Sequence, residues 1–395
     1  MLTREENETL TRVARDTPAG EMLRRYWMPI ACAGELTDEK PIKAARLLGE
    51  NLVVYRDKRG RYGVVGEQCP HRKASLAFGR VDEEGIRCPY HGWKYDCTGR
   101  CIEQPAEPEE SGFKDKIKHI AYPVERLGGL LWAYLGPEPK PLLPRWDVLA
   151  WENGKRWIEK HEIYHCNWLQ PMENSVDPSH LYWLHGDTAH LVGTTDRYEE
   201  EHNFIPFEYG ILKQRRTPGR KPGEVSQLDQ HPLVFPITLR HVFRALKTDG
   251  LFRHNLQIRV PVDDAHTQVY VVYFTPNDTD ISPADSDTPW EYFPIRDEKG
   301  EYRLEHVLVQ DAMVWETQGA PTDRTQEHLG VGDEGIIALR KLLREQIERV
   351  QQGLDPVGIL RDPEKNKLID LGVINERISL FRTQNSSQMQ TKAAS

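Results

Sequence analysis

The chain has no long apolar run, no dominant basic run and few cysteines. No segment of the 395 residues is apolar over the length that a membrane-spanning helix needs. The net charge is −9, so the composition disfavours a nucleic-acid partner. The first residues lack the basic start and apolar core of a signal peptide. Six cysteines are too few for a disulfide scaffold. We therefore expect a cytoplasmic protein with reduced cysteines and no membrane partner.

The N-terminal part of the sequence combines a helix signal with strand signals. Thr3 and Glu6 form a capping box, which predicts a helix that continues to about Tyr26. From Trp27 to about Leu135, short alternating apolar segments are separated by glycine, proline and aspartate turns. This pattern predicts a small antiparallel β domain.

A proline cluster predicts the domain boundary. Four prolines occur between residues 137 and 144, a density that neither a helix nor a central strand tolerates. We therefore expect a first domain over residues 1–145 and a second over 146–383, with a polar tail over 384–395 that is disordered or serves contacts between subunits. The second domain mixes both element types. Its predicted elements are helices over 166–186 and 336–350 and strands over 256–260 and 268–274.

Two short segments of the first domain each combine one cysteine with one histidine. They are Cys69-Pro70-His71 and Cys88-Pro89-Tyr90-His91. Two thiolates and two imidazoles are the ligands of a 2Fe-2S cluster in which the cysteines hold one iron and the histidines hold the other. Structural zinc sites usually pair like with like within each loop, so zinc is the weaker interpretation. The four residues Cys69, His71, Cys88 and His91 therefore predict an electron-carrying cluster.

A second group of candidate ligands lies on the first predicted helix of the second domain. Asn174, Asp177 and His180 follow at a spacing of three, which places them on one helix face. His185 can converge with His180 on one metal ion if the helix is distorted, and Pro178 favours such a distortion. Two histidines on a helix are more often ordinary residues than ligands. Beside an electron-carrying cluster, however, they indicate a mononuclear iron with open positions for oxygen.

With both motifs together, the chain resembles the Rieske non-haem iron oxygenases, specifically the α (large) subunits of aromatic ring-hydroxylating enzymes. The resemblance extends from Arg24 to about Ile369. It implies an α+β fold, with a small antiparallel β Rieske domain followed by a larger catalytic domain whose central antiparallel sheet is flanked by helices. The segments 259–267 and 323–330 are similar to the phthalate dioxygenase-like branch, which acts on aromatic acids and aryl ethers.

The resemblance also implies roles for individual residues. His180 and His185 would bind one Fe(II), and Asp311 would be the third ligand, with Glu316 as its competitor. Asp177 would accept the ring proton of a liganding histidine and carry electrons across a subunit boundary. The alternative role for Asp177 is a helix-capping carboxylate. Asn174 would tune the iron from outside bonding distance.

The implied partners follow from the same resemblance. A homotrimer, single or stacked into a hexamer, would bring each cluster beside the iron of its neighbour. No Gly-x-Gly-x-x-Gly motif follows a predicted strand, so a separate NADH-dependent reductase with flavin and iron-sulfur centres would supply electrons. The other partners would be O2 and a small aromatic molecule. Arg215, Arg240 and Arg244 are candidates to bind an anionic substrate, although each could instead be a structural arginine.

Three functional interpretations remain from the sequence. The favoured one is an oxygenase that hydroxylates an aromatic acid or aryl ether, by ring dihydroxylation or by O-dealkylation. The second is a Rieske electron-transfer protein without oxygenase activity, which would have no use for His180 and His185. The third is a binding or regulatory module stabilised by zinc.

Overall fold

The protein is described from a computed structural model, which defines residues 1–185, 201–217, 227–244 and 252–375. Strands up to Tyr134 form three small antiparallel sheets. Their orders are β1-β11-β10, β2-β3-β4-β9 and β5-β6-β7-β8. The elements of this part are α1 (Arg4–Thr11), α2 (Pro18–Leu23), β1 (Trp27–Cys32), β2 (Ile42–Leu47), β3 (Glu50–Arg56), β4 (Tyr62–Gly66), β5 (Arg80–Val81), β6 (Ile86–Arg87), β7 (Lys94–Tyr95), β8 (Cys101–Glu103), β9 (Ala121–Tyr122), β10 (Val124–Leu127) and β11 (Leu130–Tyr134).

The prediction of one N-terminal helix to about Tyr26 is wrong, because the structure has two short helices. The capping box at Thr3 does begin α1. Asp16 then adopts a left-handed conformation with φ 65°, which no α-helix accommodates. Pro18 begins α2, and the Thr17 hydroxyl accepts a hydrogen bond from the Gly20 N–H as its N-cap.

The second part of the chain is built on one large sheet. Its strand order is β13-β14-β15-β16-β17-β18-β12-β19, with β20 paired to β15. All pairs are antiparallel except β12 with β19. The elements are α3 (Asp147–Ala150), β12 (Asn153–His161), α4 (Leu169–Ser175), α5 (His180–Trp183), β13 (Glu201–Phe207), β14 (Gly210–Thr217), β15 (Gln227–Val234), β16 (Thr238–Arg244), β17 (Phe252–Pro261), β18 (Thr267–Ile281), β19 (Trp290–Phe293), α6 (Val307–Thr317), α7 (Glu334–Gln351) and β20 (Ile374–Asn375).

These elements confirm the α+β fold and correct one helix. The predicted helix over 336–350 lies within α7, whose buried positions include Leu339, Leu343 and Ile347. The predicted strands lie within β17 and β18. The single helix predicted over 166–186 is wrong, because α4 ends at Ser175 and α5 begins at His180. Pro178 causes this break, since it lacks an N–H and disfavours a helical residue before it.

Three predictions about chain organisation are not tested by the described residues and stay predictions. The tail over 384–395 lies outside the described residues, as does the end of the second domain. The boundary at residue 145 also stays a prediction. Within the described ranges, no helix combines the length and the apolar character required to cross a membrane. All six cysteines are free thiols, and Cys97 alone among them is not buried.

Candidate metal centres

Two loops of similar backbone geometry carry the four candidate cluster ligands. One follows β4, and the other joins β6 to β7. In each loop the cysteine N–H donates to the carbonyl five residues later, and the cysteine carbonyl accepts from the N–H four residues later. These hydrogen bonds are Cys69 N to Ala74 O (2.9 Å), Lys73 N to Cys69 O (2.8 Å), Cys88 N to Trp93 O (2.8 Å) and Gly92 N to Cys88 O (3.2 Å). The fourth residue after each cysteine has a positive φ, which explains the glycine in the second loop.

The side chains of the two loops converge. The rings of His71 and His91 have centroids 4.6 Å apart, and His71 stacks on Trp93 at 4.3 Å. The Cys69 sulfur lies 3.1 Å from the Tyr95 hydroxyl. Both cysteines are buried, whereas His71 is exposed and His91 is half-buried. Two buried thiols opposite two accessible imidazoles match the mixed ligand set of a 2Fe-2S cluster.

A second centre lies where the broken helix meets α6. Ligand atoms of His180, His185 and Asp311 all lie within 4.8 Å of one another. The Asp311 Oδ1 is 3.7 Å from His180 Nε2 and 3.2 Å from His185 Nε2. Two imidazoles and one carboxylate on one side of a metal ion form the facial set of non-haem iron oxygenases. The donor set therefore fits one Fe(II), and the break at Pro178 allows both histidines to face the same point.

The electrostatics of these three residues suit a cation. Burial lowers the pKa of His180, which keeps its imidazole neutral and able to bind a metal. Burial opposes the charge on Asp311, but the hydrogen bond from His185 and the nearby His180 outweigh it, so the pKa of Asp311 lies below its ordinary value. Burial also lowers the pKa of His185, yet the hydrogen bond to Asp311 reverses the shift and raises it.

Asp177 and Asn174 lie beside this centre without a close bond to it. One oxygen of Asp177 accepts from the Ser179 N–H (2.9 Å) and hydroxyl (2.6 Å), a local turn contact just before α5. This contact is not a helix cap, because the N-cap of α5 is Ser179 and no side chain caps that end among the described residues. The other oxygen is 3.8 Å from His180 Nδ1, beyond hydrogen-bonding distance. The Asn174 Nδ2 is 3.5 Å from Asp311 Oδ1. Both side chains therefore contact the ligand residues from outside.

Gln310 is a site residue that the sequence did not indicate. Its Oε1 lies 2.7 Å from His185 Nδ1, so it accepts a hydrogen bond from the ring N–H and leaves Nε2 directed at Asp311. The Gln310 Nε2 donates to the Leu304 carbonyl at 2.8 Å, which fixes the amide orientation. The only sequence signal was its position next to Asp311.

The competing carboxylate and the candidate arginines have other partners. Glu316 accepts hydrogen bonds from the His165 N–H (2.8 Å) and the Tyr302 hydroxyl (2.5 Å) and pairs with Arg296. These contacts engage the Glu316 carboxylate, and the candidate ligand group of the described residues is His180, His185 and Asp311 without it. Arg240 pairs with Asp147 at 3.0 Å, and Arg215 pairs with Asp229 at 2.8 Å. The side chain of Arg244 lies outside the described part of the chain.

A network of buried ion pairs fixes the position of α4, which bears Asn174, beside the candidate iron ligands. Glu173, which precedes Asn174, accepts from Arg324 (2.7 Å) and from Arg340 of α7 (2.6 Å). Burial raises the pKa of Glu173, but the two guanidinium groups more than compensate, so its pKa lies below the ordinary value. Gln170 adds hydrogen bonds to the Trp315 and Gly319 carbonyls at 2.5 and 2.9 Å. These contacts fix α4 against α6, which bears Asp311.

Known proteins are similar to this chain in sequence and in fold. Residues 26–121 match the family model described as the Rieske [2Fe-2S] domain. The chain is 40% identical over 384 residues to the 5,5'-dehydrodivanillate O-demethylase oxygenase subunit of Sphingobium sp., covering 95% of this chain and 87% of that relative. It is 32% identical to the phthalate 4,5-dioxygenase oxygenase subunit of Pseudomonas putida, covering 91% and 89%. The solved structure of Pseudomonas putida CBB5 NdmA with caffeine has a TM-score of 0.66 at 22% identity, covering 87% and 99%.

The chain belongs to the Rieske non-haem iron oxygenases, as both metal motifs and these relatives indicate. Within that family it is a large subunit of the phthalate dioxygenase-like branch. Its cofactors are a Rieske 2Fe-2S cluster and a mononuclear non-haem iron. This membership argues against the zinc-stabilised module and the electron carrier without oxygenase activity.

Proposed function

We propose that this oxygenase component accepts electrons from a separate NADH-dependent reductase with flavin and iron-sulfur centres, in the cytoplasm, and hydroxylates an aromatic acid or aryl ether. The reaction is ring dihydroxylation or O-dealkylation. The observation that carries the proposal is the convergence of His180, His185 and Asp311 within 4.8 Å. The names of its relatives support the substrate class, since they include an O-demethylase, a phthalate dioxygenase and a phenoxybenzoate dioxygenase.

In this proposal the two donor sets have separate tasks. Cys69, His71, Cys88 and His91 hold the cluster, and His180, His185 and Asp311 hold the iron. When bound, the cluster supplies single electrons and the iron activates O2. Gln310 orients His185 by accepting a hydrogen bond from its ring N–H, and Asn174 limits the movement of Asp311 through its contact with Oδ1.

We propose a head-to-tail homotrimer, single or stacked as a hexamer, in which Asp177 connects His180 to the cluster loops of a neighbouring subunit. Two exposed aromatic side chains support this assembly. Trp183, close to Asp177 in the sequence, is 78% exposed. Tyr90, whose ring lies 3.7 Å from that of His91, is 56% exposed. Large exposed aromatic side chains are typical of contact surfaces between proteins.

The test is turnover with a surrogate reductase. Purified protein, reductase, NADH and O2 are supplied with a panel of benzoates, phthalates and methoxyarenes. We expect oxygen-dependent NADH consumption with a hydroxylated product; formaldehyde identifies O-dealkylation, and a diol identifies ring dihydroxylation. His180→Ala should keep the cluster absorbance and lose the product. Loss of the cluster absorbance in that variant would mean that the two sites are misassigned, and no product from any panel member would contradict the substrate class.

A further inference from the structure

One face of the large sheet carries a line of polar side chains across four strands. The register pairs Lys213 of β14 with His231 of β15, and His241 of β16 with Asn255 of β17. The rings of His231 and His241 have centroids 4.3 Å apart, which joins the two pairs. We call Lys213, His231, His241 and Asn255 the polar row. All four are buried or half-buried, an unusual place for such side chains in a sheet.

The polar row lies on the face that the site helices cover. Arg259 extends from β17 on the same face as Asn255, because residues four apart on a strand share a face. Its guanidinium bonds the hydroxyl of Ser175, the last residue of α4, and lies 5.6 Å from the ring centre of Trp315 on α6. The helices that carry Asn174 and Asp311 therefore pack on this face.

Lys213 is a buried lysine that has no ion-pair partner among the described residues. It is 7% exposed, and no carboxylate oxygen of the described residues lies within 4.0 Å of its ammonium group. Burial lowers the pKa of Lys213 to about 7, and nearby Arg215 acts in the same direction. A buried charge of this kind is costly unless a partner compensates it.

His231 and Asn255 also have unused hydrogen-bonding atoms. His231 is 6% exposed, and its Nε2 has no hydrogen-bond partner among the described residues. Asn255 is 3% exposed, and its side-chain oxygen likewise lacks a partner within the described ranges. Buried polar atoms are nearly always bonded, so unpaired ones beside a reactive centre indicate contacts that a ligand completes.

The charge balance favours an anion as that ligand. Arg215 is neutralised by Asp229 at 2.8 Å. Arg259 and, when it is protonated, Lys213 then leave two positive charges. Asp177 and Asp229 act on Lys213, and Asp311 acts on Arg259. A ferrous ion held by His180, His185 and Asp311 would add two positive charges, so the loaded site would have a positive excess that an anionic substrate reduces.

We propose that Lys213 and His231, with Asn255 beside them, bind an anionic oxygen substituent of the aromatic substrate, a carboxylate or a phenolate. This inference rests on the proposed function, whose substrate class it narrows. The lysine supplies a charge-assisted hydrogen bond and the histidine a neutral one. Two of the three arginines indicated by the sequence are already engaged, because Arg215 pairs with Asp229 and Arg240 with Asp147.

The experiment measures binding without turnover. Iron-loaded protein is titrated anaerobically by calorimetry at about pH 6, where Lys213 is protonated, with 3-methoxybenzoate, 3-methoxybenzamide and 5-methoxy-2,4-dinitrophenol, a phenol that is ionised at that pH. We expect wild type to bind an anionic probe about 10- to 100-fold more tightly than the amide, the range that a charged hydrogen bond supplies. Lys213→Met should abolish that preference, and Lys213→Arg should retain part of it. The probe that loses affinity distinguishes a carboxylate site from a phenolate site.

Lys160→Met is the matched control. Lys160 is also largely buried, but it lies on β12 and pairs with Glu35 at 2.7 Å, on the opposite face from the residues that continue the polar row. This variant should keep the preference for the anion. If Lys213→Met does not fold, judged by cluster absorbance and thermal unfolding, His231→Gln provides the same test with an expected loss of about 10-fold.

Two results would overturn the inference. One is equal affinity of wild type for all three probes, and the other is an anion preference that survives in Lys213→Met. The outcome is independent of oxygenase activity, because neither O2 nor reductase is present. Product formation without anion preference would reject only the polar row as a binding site, whereas anion binding without product from any aromatic compound would reject the proposed reaction.

Discussion

The two candidate metal centres differ in how the chain assembles them. The cluster loops are local: all four ligands lie between residues 69 and 91, on two loops with the same hydrogen-bond pattern. The iron site is not local, because Asp311 joins two histidines from a distant part of the chain. A local site depends on short motifs that can be recognised directly in the sequence. A non-local site depends on helix packing, and here buried contacts such as those of Glu173 with Arg324 and Arg340 maintain that packing.

The two centres also differ in exposure. His71 is exposed and His91 is half-buried, so the imidazole side of the cluster loops is accessible to another protein. His185 is 2% exposed and Asp311 is 6% exposed. An electron carrier needs an accessible edge, whereas an oxygen-activating centre benefits from exclusion of water. The comparison predicts that each centre can be removed without loss of the other.

Asp311→Ala gives the largest expected effect. Removal of the third ligand should empty the iron site and abolish product formation, while the cluster absorbance remains. Iron content should fall from about three to about two per chain, since a 2Fe-2S cluster contributes two. Glu316→Gln is the control and should keep the third iron. Retained iron in Asp311→Ala would assign the ligand role to another carboxylate.

Cys88→Ser is the reciprocal test. It should abolish the visible absorbance of the cluster and its electron paramagnetic resonance signal, because a hydroxyl is a poor substitute for a thiolate ligand. About one iron per chain should remain, bound at the buried site. Cys97→Ser, in a cysteine outside both loops, should leave the absorbance unchanged. Loss of all iron in Cys88→Ser would show that the centres are not independent.

Asp177→Asn tests the connection between the centres. The amide oxygen can still accept the hydrogen bond from the Ser179 N–H before α5, so both metals should remain bound. Turnover should fall by about 10- to 100-fold, as for other residues that contact a metal ligand from outside. Stopped-flow absorbance should show slow cluster reoxidation in the presence of substrate. Full activity would leave Asp177 with its turn contact to Ser179 alone.

Gln310→Leu is expected to have the smallest effect of the series. It removes the acceptor that orients His185, so iron affinity should weaken by about 10-fold without complete loss of the metal. Gln310→Glu keeps an oxygen at that position and should bind iron more tightly than the leucine variant. Competition with a chelator measures both. Equal affinity of wild type and Gln310→Leu would mean that the contact does not support the ligand.

Much of the fold could be predicted because its signals are local. The capping box at Thr3, the face of α7 and the strands within β17 and β18 follow from short patterns. The helix predictions failed where one residue outweighed the pattern. Asp16 adopts a left-handed conformation that composition does not reveal, and Pro18 begins a new helix rather than continuing the first.

The iron site was predictable only in part. His180 and His185 are close in sequence, and Pro178 indicated the break that lets them converge. The contact of Gln310 with His185 depends on how α6 meets the broken helix, which no local pattern encodes. Lys213 and His231 become neighbours only through strand register. The ion pair of Arg240 with Asp147 joins residues that are 93 positions apart in the sequence, so no local pattern could separate the structural role of Arg240 from a substrate-binding one.

The central claim is that one chain carries two separate iron centres, and combined iron, zinc and acid-labile sulfide analysis of the purified protein with Mössbauer spectroscopy tests it most directly. The account predicts about three iron and two sulfide per chain, with spectra of a 2Fe-2S pair whose irons differ in ligands and of one isolated high-spin ferrous ion. Two iron without the isolated ferrous component, or zinc in either position, would contradict it.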